Sequence, residues 1–192
     1  MADRYRPEPR LNPTIPVPKF ELPTLRDDPL TDAKLAQGAF VLIFHRYAAC
    51  PLCASKMAEY RVRIRELGSV VHYPIFHSPA DKLRRFIPDW EAHPFDIPYD
   101  VEKKVYEKFG VGESAFGLLH PGYFKAKVES APYNKDGRGP KEYDKTLKTM
   151  PASFLVRDGQ IVAANYGSHW ADIWPVDEAL RQIKAIFGEI PT

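Results

Sequence analysis

Ala39-Phe40-Val41-Leu42-Ile43-Phe44, followed after a short link by Cys50-Pro51-Leu52-Cys53, is the stretch on which the fold of this chain turns. An unbroken apolar run of this length reads as a strand buried on both faces, internal to a mainly parallel sheet. It delivers the chain to the cysteines at its carboxyl end, where open α/β sheets place their chemistry. Pro51 belongs at the first helical position, where its missing N–H costs nothing. Cys50 therefore falls at the N-cap, over the unpaired N–H groups of the first turn. Thiols three residues apart at a helix start have Cα atoms on the order of 5 to 6 Å apart, within the range of a disulfide. The helix dipole favours a thiolate there. Cys50 is thus the expected nucleophile, solvent-facing at the cap, with Cys53 a turn inside the helix.

These are the only two cysteines. Zinc wants four ligands; there is no second C-x-x-C, and only His72 and His77 come near the spacing of a histidine pair, so a metal site is the weaker reading. A disulfide across two intervening residues closes too small a loop to constrain the unfolded chain. A redox pair is the better account, and with no cysteine left for structural bridges it fits a reducing, cytoplasmic compartment. The net charge is +2, with 27 Lys and Arg scattered among 25 Asp and Glu. That leaves no basic stripe for nucleic acid. Met1 to Arg10 is charged and lacks an apolar stretch, so neither a secretory signal nor a membrane span is expected.

Working outward, residues 1–29 hold seven prolines and read as an extended arm, laid on the domain or on the partner in a homodimer, or left as a tail. The domain proper spans 30–192 in this reading. A short helix is expected from Thr31 to Gln37, stopped by Gly38. After the cysteines, Met57, Tyr60, Ile64 and Leu67 form one apolar stripe, with Glu59 and Arg63 as an i,i+4 pair on the opposite face. Val70 to Phe76 is the next strand, placed at an edge by Pro74. Ser78 is expected to cap a helix whose buried face is Leu83, Phe86 and Ile87. A further helix runs from Val101 to Phe109, ended by Gly110. Residues 112–148, with His120-Pro121-Gly122 and the loop Lys135 to Pro140, read as an insertion, either a lid or a solvated excursion. Asp158-Gly159 joins two β-prone runs as a hairpin, and a helix from Pro175 to Phe187 closes the chain.

The β-α-β, helices, β-β-α order, with C-x-x-C after the first core strand and a proline just before the hairpin, resembles the thioredoxin fold from about residue 20 to about residue 190. This is an α/β fold with a central mixed sheet flanked by helices. Within it, four segments are similar to the peroxiredoxin-like branch of the alkyl hydroperoxide reductase and thiol-specific antioxidant (AhpC/TSA) family. They are Phe44-His45-Arg46 leading to the cysteines, Phe76-His77-Ser78-Pro79, Tyr106 to Val111, and Pro151 to Val156. The peroxiredoxin motif Phe-Tyr-Pro-x-x-x-Thr-x-x-Cys, laid on Phe44, puts the peroxidatic position at Cys53. In that register Arg46 replaces the motif's proline, Cys50 its threonine, and Pro151 the arginine ahead of the strand.

The resemblance implies a thiol-dependent oxidoreductase. Its Cys50/Cys53 dithiol reduces a peroxide or related substrate, closes to a disulfide, and is reopened by an external thiol reductant such as a thioredoxin, with no metal or flavin. It also implies that Pro151 is cis and faces the cysteines, so that Pro51, Met150, Pro151 and Tyr47 position the substrate. His45 and His120 are candidates to tune the site, though packing is the commoner use of such residues. Two rival readings stand beside it: a thioredoxin-like reductase of protein disulfides, and a non-enzymatic redox sensor or interaction domain.

Overall fold

The apolar run 39–44 is buried along its whole length, and the molecule is layered on its two faces. The structure is a computed structural model describing residues 14–134, 138–139, 142, 144 and 146–191. Pro7, Pro9 and Pro13 of the arm, and Lys135, Asp136, Gly137 and Pro140 of the loop, lie outside the described residues. In chain order the elements are β1 (Ile15–Pro16), β2 (Glu21–Leu22), β3 (Leu30–Thr31), β4 (Ala39–Phe44), α1 (Pro51–Arg63), β5 (Val71–Ile75), α2 (Ala80–Phe86) and α3 (Lys104–Lys108). There follow α4 (Pro121–Glu129), β6 (Ala152–Arg157), β7 (Gln160–Tyr166) and α5 (Val176–Phe187).

The main sheet has the order β1-β7-β6-β4-β5. β4 is internal, parallel to β5 and antiparallel to β6, as its apolar run requires. β5 is an edge strand, which accommodates Pro74. Strand alternation sends Val41 and Ile43 to one face, under α1 and α5. It sends Phe40, Leu42 and Phe44 to the other, where Phe44 meets Tyr106 and Phe109 at 4.9 Å and Phe154 at 5.6 Å. The β6–β7 hairpin turns through Asp158 (φ 48°) and Gly159 (φ 74°), the positive dihedrals that Asp-Gly supplies. The described part of the proline-rich segment packs on this same domain: β1 pairs with β7, and Phe20, Leu22 and Leu25 are buried.

Several local expectations are corrected. The Thr31 to Gln37 helix is a single 3-10 turn, Lys34–Ala36. Ser78 does not cap α2; Pro79 stands at the N-cap position with no side-chain bond, and the Ser78 hydroxyl instead accepts the Ala48 N–H at 2.7 Å and donates to Asp144. α3 is shorter than Val101 to Phe109, because the Asp100 carboxylate collects the N–H groups of Lys104, Val105 and Tyr106 and starts the helix there. The stretch 112–148, read as an insertion, contains α4, seated against α1.

Glu59 and Arg63 do not pair. Arg63 bonds Glu66 and Asp177, while Glu59 pairs with Lys56 and accepts the first N–H of α5, Val176, at 2.8 Å. Helix α5 thus borrows its cap from α1. Glu59→Ala is expected to cost about 1 kcal/mol in urea unfolding, the usual worth of a lost cap. Arg63→Ala, which removes only solvent-screened surface pairs, should cost clearly less than Glu59→Ala, and equal costs would refute the borrowed cap.

Candidate active site

β4 ends at Phe44, and a tight link carries the chain to α1. The link is fastened by His45 N–H to the Ile75 carbonyl (2.7 Å), by Ala48 N–H to Ser78, and by Cys50 N–H to the Tyr47 carbonyl (3.0 Å). The Tyr106 hydroxyl lies within hydrogen-bond distance of both the His45 and the Ile75 carbonyls, clamping the ends of β4 and β5 together. Cys50 is the N-cap, in an extended conformation (φ −77°, ψ 116°), and Pro51 opens the helix. The local reading of this element is therefore the observed one.

Exposure is not as expected. Cys50 is 1% exposed rather than solvent-facing, and Cys53 is fully buried. Both are free thiols. Cys50 instead lines a cavity of about 410 Å³, together with Arg46, Tyr47, Tyr123, Lys127 and Trp170 among others. Cys53 does not line it.

The two thiols are driven in opposite directions. Burial raises the Cys50 pKa, but the Cys53 thiol donating to it, the Arg46 guanidinium, and the backbone N–H groups of Cys53 and Leu52 outweigh that and bring it to about 6. Cys53 is raised well above the usual range by burial, by its hydrogen bond to Cys50 and by the charge on Cys50. The arrangement holds a buried thiolate beside a thiol that can donate a proton to it.

Arg46 entered the sequence reading only as a mismatch to a proline. In the structure it is 3% exposed, with its Nη1 3.8 Å from Cys50 Sγ. Its Nε donates to the Thr149 carbonyl (3.2 Å) and its Nη2 to the Leu147 carbonyl, while its backbone N–H points to Cys53 Sγ at 3.4 Å. The one sequence signal for it was a basic residue at the end of a fully buried strand.

Of the residues singled out from sequence, Cys50, Pro51 and Tyr47 meet at the cavity. Burial, then the charge of Cys50, raises the Tyr47 hydroxyl pKa, so it remains a phenol. Met150 and Pro151 lie just before β6, whose first residue, Ala152, pairs with Phe44; they face a small neighbouring cleft with Gly110, Gly112 and Gly167. His45 is buried and stacked on Phe76 at 4.7 Å, a packing role. His120 caps α4 by accepting the Gly122 N–H and stacks on His169, away from the cavity lining.

The AhpC/TSA family model matches residues 14–165, most of the chain. The chain belongs to the AhpC/TSA family. It is similar in structure to peroxidoxin BcpB from Mycobacterium tuberculosis, at 20% identity and a TM-score of 0.65, over 92% of this chain and 99% of that one. It is similar also to a peroxiredoxin-like protein from Aquifex aeolicus (13%, TM-score 0.64, 94% and 91%). A third likeness is to peroxiredoxin Q from Xanthomonas campestris (13%, TM-score 0.60, 88% and 90%). At such identities the likeness is one of fold, and the fold is thioredoxin-like. No curated protein matches the chain. This AhpC/TSA member carries its two cysteines as C-x-x-C at the start of α1. Among the described residues no three His, Cys, Asp or Glu side chains converge to hold a metal, and no helix is long and apolar enough to cross a membrane.

Proposed function

We propose that the protein is a peroxide-reducing thiol oxidoreductase in which Cys50 attacks and Cys53 resolves. The observation that carries this is that Cys50 alone of the pair lines the cavity, in hydrogen-bond contact with Cys53 and under the Arg46 guanidinium. The Cys50 thiolate takes the terminal oxygen of RO–OH, giving the sulfenic acid Cys50–SOH and RO⁻, which leaves as ROH after taking a proton. The Cys53 thiol then displaces water from that sulfur, closing the Cys50–Cys53 disulfide. A dithiol reductant of the thioredoxin type reopens it by exchange, in a reducing, cytoplasmic compartment. No resident cofactor enters these steps. Tyr47 and Pro51 position the peroxide, and Met150 and Pro151 hold the end of the segment whose carbonyls carry Arg46. Enclosure of Cys50 favours a small peroxide over an extended protein disulfide.

The test is to titrate Cys50→Ser and Cys53→Ser separately with hydrogen peroxide. Cys53→Ser is expected to accumulate sulfenic acid on Cys50, and Cys50→Ser to consume no peroxide above background. The opposite pattern makes Cys53 the first nucleophile, as the motif register has it, and overturns these roles. Consumption by the unmodified protein should rise with pH around a midpoint near 6, as the Cys50 thiol ionises.

A further inference from the structure

The charge beside Cys50 is held in an unusual way. Arg46 is buried, and among the described residues it makes no ion pair with a carboxylate. Two of its nitrogens donate to main-chain carbonyls, which fix its edge and leave its flat faces to be held by something else. One face lies on the indole of Trp170, with Cζ 4.2 Å from the ring centroid; Tyr47 stands farther off at 5.4 Å. A guanidinium stacks on an indole as an ammonium cannot, and such a contact strengthens when shielded from water.

Trp170 is itself fixed. Its Nε1–H donates to the Ser114 carbonyl at 2.8 Å, and Tyr123 meets it edge-on at 5.8 Å. Gly117 packs so closely that a Cβ there would lie 2.6 Å from the ring. Arg46 and Trp170 both line the 410 Å³ cavity, so an Arg46 side chain released from the indole has open space into which to swing away from the sulfur. Trp170 follows β7, outside the residues that the family model matches.

We propose that Trp170 is a positioning residue for the thiol chemistry: its indole face pins the Arg46 guanidinium against the Cys50 sulfur, and so keeps a fixed positive charge where the thiolate forms. This rests on the reading of Cys50 as the attacking thiol. It makes the Arg46–Trp170 pair one unit, built by a residue of the β4–α1 link and one of the β7–α5 connection.

The test reads Cys50 ionisation directly, without turnover. The reduced full-length protein is alkylated with iodoacetamide over about pH 4 to pH 10, and the rate at Cys50 is followed by peptide mass spectrometry. Arg46→Met is expected to move the midpoint up by about one pH unit or more, and Trp170→Leu by about one. Trp170→Phe, which keeps an aromatic face, should stay closer to the unsubstituted protein than Trp170→Leu. In the Arg46→Met background Trp170→Leu should add nothing, because it acts only through the guanidinium. Arg46→Lys, charged but without a planar face, should also move the midpoint up, and it answers the question if Trp170→Leu fails to fold. A folded Trp170→Leu with an unchanged midpoint overturns the proposal, as does an additive shift in the double variant or an Arg46→Lys that behaves as unsubstituted. Preferential alkylation at Cys53 in the unsubstituted protein would instead remove the assignment of Cys50 on which the proposal stands.

Discussion

Lowering the pH from about 7 to about 5 is expected to remove about 2 kcal/mol of folding stability through His72 alone, with His45, His93 and Cys50 acting in the same direction. His45 is stacked on Phe76, and His72 lies between Tyr60, at 4.2 Å, and Phe95. Burial, with smaller contributions from His72 and Lys56, holds the His45 imidazole well below its ordinary range. Burial lowers His72 to about 3, only partly offset by the Val41 carbonyl. Both rings are neutral when folded, and both take up a proton near pH 6.5 when the chain unfolds. A depressed histidine pKa means that the unfolded state binds more protons. The stability is therefore full above the unfolded value, and is lost as pH falls through it toward the folded value. At pH 5 the His72 imidazole contributes about 2 kcal/mol of loss, and His45 adds to it in the same direction. Urea midpoints at about pH 7, 6 and 5 measure it. His72→Phe, which keeps a ring in the stack, should remove about 2 kcal/mol of the loss between about pH 7 and pH 5, and an unchanged slope would show that other groups carry the acid sensitivity.

Asp100→Ala should cost about 2 to 3 kcal/mol, the worth of a helix cap made by a buried charged acceptor. Helix α3 has only five residues, too few to sustain itself, and is entered through Lys103 in the left-handed region (φ 60°). The Asp100 carboxylate meets three of its N–H groups, at 3.2, 2.7 and 3.0 Å, and the Asp100 N–H is in turn bonded to the Phe76 carbonyl at 2.8 Å. Helix α3 carries Tyr106, whose hydroxyl clamps the strand ends one residue before Arg46. Stability and peroxide consumption should therefore fall together. Asp100→Asn, which keeps an acceptor oxygen, should fall less in both. Unchanged unfolding of Asp100→Ala would show that α3 is held by packing alone.

Much of this was legible in the residues. The run Ala39–Phe44 has no polar position and reads as an inner strand; Pro51 opens α1, and Gly188 (φ 83°) closes α5, by fixed backbone preferences; Asp158-Gly159 supplies the dihedrals of the hairpin. What escaped were features whose partners are distant in sequence. Ser78 is a competent cap by composition, yet its hydroxyl is taken by Ala48 and Asp144. The apolar residues of α4 gather no clean stripe, since Phe124 and Val128 are exposed while its neighbours pack on α1. Arg46 looked like a departure from a motif because its role lies in carbonyls 101 and 103 residues away.

By itself the sequence determined that a dithiol sits at a helix start behind a buried strand, in an AhpC/TSA chain of thioredoxin-like fold. Those are local properties: a C-x-x-C spacing, a proline at the first helical position and an apolar run act within a turn or a strand of themselves. Only the tertiary structure decided that the capping thiol is buried, that it faces a cavity its partner does not reach, and that a guanidinium stands beside it. Desolvation and charge act through space. They depend on how the residues around Leu147, Thr149 and Trp170 fold back over the link, which no spacing within Cys50-Pro51-Leu52-Cys53 encodes.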